Sequence, residues 1–285
     1  MFRGIVEFLN EIYSEWQSDD AISLGAALAF YTIFSMTPLL LLVIAIAGLF
    51  LGRAAAEGQL VGQIGHLVGQ AGAQTIQDMI ARASSPKAGV TASVVSIATM
   101  TIGATGVFGQ LQHSLNHIWE TPTTQRSGGL RAQIRKRAVA FLMILGSGFL
   151  LLVSLVLSAA LAVLRDLLAQ HAPILSQVLP TLNFLLSFTV IAGLFALIFH
   201  VLPNVDMRWR DVWPGAVVTA LLFTLGKSLI GLYLGRTGVT SLYGAAGSFV
   251  LLLLWVYYSA QILFVGAEFT EVYSRRYGSR RQPRV

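Results

Sequence analysis

The sequence predicts an all-α polytopic membrane protein with six transmembrane helices. Six stretches of about 20 or more mostly apolar residues match a hydrocarbon core of ~30 Å at 1.5 Å of rise per helical residue. The mean hydropathy is +0.71, with 55% hydrophobic and only 11% charged residues, whereas soluble domains carry about a quarter charged residues. The predicted spans are 26–51, 90–109, 138–164, 179–201, 212–234 and 245–267.

These spans define a transmembrane domain over 21–270, preceded by a short segment, 1–20, and followed by a basic tail, 271–285. With 285 residues in all, little of the chain is left for a soluble catalytic domain, so we expect no enzyme.

Residues 1–20 have the pattern of an amphipathic helix. Apolar residues such as Ile5, Leu9 and Ile12 recur on one face, and Tyr13 and Trp16 suit a membrane interface. We expect this helix to lie along the cytoplasmic surface of the bilayer. Packing against the basic 126–137 segment is the alternative.

The first span contains Pro38, which predicts a kink because proline removes one backbone donor. Residues 52–89 read as an external amphipathic loop with two short helices separated by Gly72. Small residues elsewhere predict close helix packing, namely Gly103, Gly106, Gly109, Gly231 and Gly235.

The net charge of +6 is unevenly distributed. If the six spans alternate, the basic clusters at 126–137, 208–210 and 275–284 all fall on one side of the membrane. Basic loops mark the cytoplasmic side, so both termini are predicted there. The basic tail then anchors the topology near anionic headgroups, and we expect no nucleic-acid partner.

Lys227 is the strongest candidate for function, because a charged residue inside a span costs ~3 kcal/mol to insert. It lies about 6 Å beyond the centre of the fifth span by helical rise. It could hold an anionic group in a cavity, or its stem could snorkel outward. Polar residues that could complete a substrate or ion site are Tyr243, Asn183, Tyr257, Tyr258 and Gln261.

A second polar set falls at the predicted cytoplasmic ends of the spans, and we call it the inner-rim network. Its members are Gln110, Asn116, Asn204, Arg208, Asp211 and Glu268. We expect Glu268 to pair with Arg208 or Arg210, or with backbone at the inner end of the second span. The role predicted for the set is to tie loops together.

The sequence lacks the residue patterns that commonly bind metals or cofactors. The chain has no cysteine, and the pair His113 and His117 lacks the glutamate of an HExxH motif. No GxxxxGK[ST] phosphate-binding loop occurs. We expect no catalytic residue, no metal and no cofactor.

Several motifs occur in a fixed order along the chain. They are AALAFYTIFSMTPL at 26–39, GATGVFGQLQ at 103–112, LNHIW at 115–119, LPN at 202–204, WRD at 209–211, PGA at 214–216, SLYGAAGS at 241–248, LWVYYSAQI at 254–262 and GAEF at 266–269. This ordered set resembles the YihY/BrkB family of membrane proteins. The resemblance implies a multi-pass protein of the bacterial inner membrane, in a family described as transporters or as envelope and virulence factors. An old ribonuclease BN label finds no support in the scattered acidic residues.

The sequence therefore predicts a transporter or flippase-like protein that handles a lipid or other amphipathic anion. The alternative is a scaffold that docks envelope machinery through the 52–89 segment, and a membrane enzyme acting on lipids ranks third. Membrane lipids are the expected partners, with a second copy of the chain or an envelope protein left open.

Overall fold

The computed structural model describes residues 2–83, 106–121, 173–205, 207–236 and 247–280. Every regular element in these residues is a helix, which confirms the all-α prediction. The helices are α1 Phe2–Ser18, α2 Ala21–Leu51, α3 Arg53–Ala83, a helix over 106–118 (α4), α5 Pro173–Val201, α6 Trp209–Arg236 and α7 Gly247–Arg276.

Three of the described helices are long and apolar enough to cross a membrane. They cover Val178–Val201, Trp209–Leu229 and Phe249–Arg276, at the places of the predicted spans 179–201, 212–234 and 245–267. The predicted first span, 26–51, lies within α2. The predicted spans 138–164 and 90–109 fall outside the described residues, except for the helical residues 106–109.

Residues 53–83 form one continuous helix instead of the two short helices expected around Gly72. An internal glycine costs a helix only about 1 kcal/mol, and no proline interrupts this segment. The break lies earlier, at Gly52, whose φ of 80° suits a residue without a Cβ. Gly52 is therefore the single residue that separates α2 from α3.

The chain divides into two compact units. Unit 1 comprises Met1–Ile12, Leu115–Thr224 and Val265–Val285, and unit 2 comprises Tyr13–Ser114 and Leu225–Phe264. The core of unit 2 joins three helices through buried aliphatic side chains, including Ile33 and Ile44 of α2, Ile76 and Ile80 of α3, and Leu252 and Val256 of α7. Ile76 and Ile80 of α3 are thus packed in one core with residues of α2 and α7.

The core of unit 1 is built around buried aromatic and small side chains. Trp119, just after α4, meets Phe199 of α5 edge-on with ring centroids 5.9 Å apart, and both are fully buried. Phe195 of α5 in turn meets Phe223 of α6 at 5.8 Å. These ring contacts join the residues after α4, the end of α5 and the middle of α6.

Candidate functional site

Lys227 lies on the half-buried side of α6, within the apolar stretch Trp209–Leu229. At 3.6 residues per turn, its direction around the helix falls between those of Ala216 and Ala220, which are fully buried. Val217 and Leu221 mark the exposed face. Lys227 itself is half-buried, between the buried Gly226 and the exposed Ser228.

No carboxylate neutralises Lys227 among the described residues. The ion pairs found there join Arg275 and Arg276 to Glu11 and Glu271. The ammonium group is thus a half-buried cation in an apolar stretch, without an acidic partner in the described part of the chain.

Tyr258 of α7 lies beside the residue that precedes Lys227. A Cβ built on Gly226 would come within 2.7 Å of both the Tyr258 hydroxyl oxygen and the Ile262 Cδ1. Only a glycine allows this close approach of α6 and α7. The tyrosine hydroxyl is thereby held against the α6 backbone at Gly226, one residue from Lys227.

Tyr257 and Gln261 point to a different helix. Gln261 Nε2 donates a hydrogen bond of 3.1 Å to the Ala21 carbonyl at the start of α2, and both side chains lie against Gly25. Of the residues predicted to complete the Lys227 site, these two instead fix the entry to α2. Asn183 is half-buried on α5, and Tyr243 lies outside the described residues.

Two pairs within unit 1 tie loops to helices. The Asn204 backbone N–H donates to Asn116 Oδ1 at 2.7 Å, which fastens the segment after α5 to α4. Asp211, which is buried at the start of α6, accepts hydrogen bonds from the Ser279 backbone N–H at 3.2 Å and from the Ser279 hydroxyl. Both pairs fasten a loop or tail segment to a helix.

The other members of that set are arranged differently. Arg208 and Arg210 are exposed and make no ion pair in the described part of the chain, whereas Glu268 is only 1% exposed on α7. The structure does not bring Arg208 or Arg210 into an ion pair with Glu268. Gln110 donates to Ser114 within α4, at a long 3.4 Å.

The main ion-pair cluster was not among the predicted site residues. Glu11 of α1 accepts from Arg275 at 2.7 Å and also pairs with Arg276, at the end of α7. Arg276 lies over the Phe8 ring, 5.8 Å from its centroid. The sequence did indicate this cluster, because the first helix is acidic and the tail is basic. The 126–137 segment is basic as well, so charge alone did not distinguish the two possible partners.

The sequence prediction also missed a close crossing of α6 and α7 among the described residues of unit 1. Gly215 of α6 faces Thr270 of α7, and Gly266 of α7 faces Thr219 of α6, so two G-x-x-x-T segments interlock. Each threonine hydroxyl donates to the glycine carbonyl four residues earlier in its own helix, at 2.7 Å. The repeated pattern of small residues four apart could have indicated this crossing.

The glycines predicted to lie at helix contacts differ in how closely other residues approach them. A Cβ on Gly106 would lie 3.3 Å from the Tyr31 ring, whereas a Cβ on Gly109 would have nothing within 4 Å. Gly231 and Gly235 lie in α6, and Gly103 lies outside the described residues.

A kink was predicted at Pro38. The helix α2 continues through this residue without a break in its helical assignment.

No group of three or more His, Cys, Asp or Glu side chains that could hold a metal ion occurs in the described ranges. His113 and His117, the only pair of histidines spaced for one helix face, are both exposed on α4.

Comparison with known proteins gives a consistent result. A family model described as "Virulence factor BrkB" matches residues 12–284. A UPF0761 membrane protein of Verminephrobacter eiseniae is 27% identical, over 86% of this chain and 57% of its own length. One of Tolumonas auensis is 31% identical over 56% of this chain and 50% of its own length. One of Pseudomonas aeruginosa is 26% identical over 93% of this chain and 62% of its own length.

This chain thus spans between 50% and 62% of the length of these three relatives. No solved structure matches it.

Proposed function

Because this chain belongs to the BrkB family of membrane proteins, we propose that it handles a lipid or another amphipathic anion within the membrane. Lys227 holds the anionic head in this proposal, and apolar surfaces of the helices accommodate the hydrocarbon part. The activity is binding and movement of the molecule, without covalent chemistry.

The position of Lys227 is the observation that carries the proposal. A cation at this depth costs ~3 kcal/mol to insert, and Lys227 has no acidic partner in the described part of the chain. Lys227 is half-buried, and its direction around α6 differs from that of the exposed Leu225 and Leu229. Water or an anionic ligand is what such a cation requires.

Snorkelling is the competing explanation of Lys227. A lysine that snorkels runs its stem along the lipid-facing surface to reach the headgroups. On α6 that surface carries Val217, Leu221 and Leu225. The direction of Lys227 differs from theirs, which favours an internal cation.

The proposal includes a topology. We place the protein in the bacterial inner membrane with six spans and both termini in the cytoplasm, because the basic clusters at 126–137, 208–210 and 275–284 then share one side.

The burial of two residues near the end of α3 makes us favour lipid handling over the scaffold alternative. That alternative required the apolar stripe of residues 52–89 to be available for docking. Ile76 and Ile80 of α3 are instead 2% and 1% exposed, inside the core of unit 2. A partner would have to displace α2 or α7 to reach them.

The test is native mass spectrometry of the protein extracted gently in its own lipids, with identification of whatever stays bound. We expect an anionic lipid to survive washing in the wild type and in Lys227→Arg, and to be lost in Lys227→Met. Leu225→Met is the matched control, since it places the same side chain on the exposed face two residues away. A full lipid complement on folded Lys227→Met would eliminate the cation site.

A further inference from the structure

The helix α1 leaves one apolar face uncovered. Ile5, Val6 and Leu9 are 53%, 50% and 55% exposed, although residues 1–12 belong to the compact unit 1. At 3.6 residues per turn, these three side chains lie within about 100° of one another around the helix. They form a continuous strip, which we call the α1 apolar strip.

Contacts with α7 fix the rotation of α1, so that the strip cannot turn inward. The Phe8 ring meets the Phe269 ring edge-on at 5.3 Å, Ile12 is buried, and Glu11 pairs with Arg275 at 2.7 Å. Phe8, Glu11 and Ile12 occupy the edge of α1 next to the strip. Burying the strip by rotation would break the ring contact and the ion pair and would expose Ile12.

Polar residues occupy the remaining side of α1. Glu7 and Asn10 are exposed, and their directions lie more than a right angle away from that of Ile5. The helix thus has three separate sides: a docked edge, an exposed apolar strip and an exposed polar side. An arrangement of this kind is typical of a helix that lies in a membrane interface.

We propose that the α1 apolar strip is seated in the interfacial zone of the lipid bilayer, with α1 lying in the membrane plane. Two residues separate the end of α1 at Ser18 from the apolar helical stretch Ala21–Met36. Tyr13, at the far end of α1, is 63% exposed, and tyrosines concentrate at headgroup level.

Charge beside the strip is balanced. Arg275 and Arg276 pair with Glu11, and Arg275 also lies 3.8 Å from Glu271, so the cluster holds two positive and two negative charges. The proposal therefore depends on the exposed apolar side chains of the strip and not on net charge. The proposal rests on α1 and the end of α7 alone, and it stands whether or not Lys227 binds an anion.

The absence of cysteine from the chain allows a direct test. Single cysteines at Ile5, Val6 or Leu9 would carry a nitroxide spin label on the strip, and Glu7→Cys and Asn10→Cys are the matched controls on the polar side. All five positions are exposed, so labelling requires no repacking. The full chain is reconstituted into vesicles of phosphatidylethanolamine and phosphatidylglycerol, after a check that it elutes as a single species.

Power saturation then compares accessibility to oxygen, which concentrates in the bilayer, with accessibility to a water-soluble nickel chelate. We expect the strip labels to favour oxygen several-fold over the chelate, and the Glu7 and Asn10 labels to show the reverse. Equal accessibility to the chelate at all five positions would overturn the proposal. So would spin–spin broadening at Leu9 that disappears on dilution with unlabelled protein, because a second copy of the chain would then cover the strip.

Discussion

Replacing Gly266 with alanine tests whether the crossing of α6 and α7 in unit 1 depends on glycine. A Cβ on Gly266 would come within 2.8 Å of the Thr219 Cβ and 3.0 Å of its Cγ2, and still nearer to its hydroxyl oxygen. Thr219 cannot simply rotate away, since a β-branched side chain in a helix has few χ1 choices. The two helices must therefore separate slightly, or the threonine must leave its preferred rotamer.

The expected change in the free energy of unfolding is the difference between a gain in backbone stability and a cost of overpacking. Alanine for glycine inside a helix gains about 0.5–1 kcal/mol of backbone stability, and overpacking of this kind costs about 1–3 kcal/mol. Gly193→Ala in α5 isolates the first term, because a Cβ there has nothing within 4 Å. The difference between the two variants is therefore the overpacking cost alone, about 1–3 kcal/mol in favour of Gly193→Ala.

The assay is thermal denaturation in detergent, followed by the loss of monodisperse protein on size exclusion. At roughly 2–4 °C per kcal/mol, Gly266→Ala should have a Tm about 2–12 °C below that of Gly193→Ala. Adding Thr219→Ala should recover part of the loss, since it removes the nearest atom. Equal Tm values for the two single variants would refute the close crossing.

Two further substitutions probe the polar contacts of unit 1. Glu11→Ala should cost about 1 kcal/mol, because a half-exposed carboxylate loses Arg275, and the loss should shrink in high salt if charge is the cause. Asn116→Ala should cost about 1–3 kcal/mol by leaving the Asn204 N–H unpaired, while Asn116→Asp keeps an acceptor oxygen and should cost less. Thermal denaturation measures both, and Tm values unchanged from wild type would contradict them.

The sequence alone was sufficient to locate the helices, but it did not identify the residues through which they contact one another. The apolar stretches 179–201 and 212–234 were predicted within a few residues of the helical stretches found, because length and hydropathy are properties of each segment alone. Gly231 and Gly235 matched a packing pattern, yet the closest contacts found involve Gly215 and Gly266. A pattern of small residues does not say which side of a helix faces a neighbour.

The Glu11 cluster shows the same limit for charge. The first helix is acidic, so we expect it to pair with basic segments. The chain has three such segments, at 126–137, 208–210 and 275–284. Screening and side-chain flexibility make these alternatives nearly equal in energy when only composition is known. The packing of Phe8 against Phe269 selects Arg275 and Arg276, which lie within two turns of Phe269 on α7.

The direction of Lys227 is tied to the contact at Gly226. Because Tyr258 and Ile262 fill the space that a Cβ on Gly226 would need, α6 cannot rotate without breaking this fit. Residue 227 then has one direction, about 100° around the helix from the contact. The cation is therefore oriented by the packing of α6 on α7, and an anion that binds Lys227 would be positioned by a glycine and a tyrosine that carry no charge.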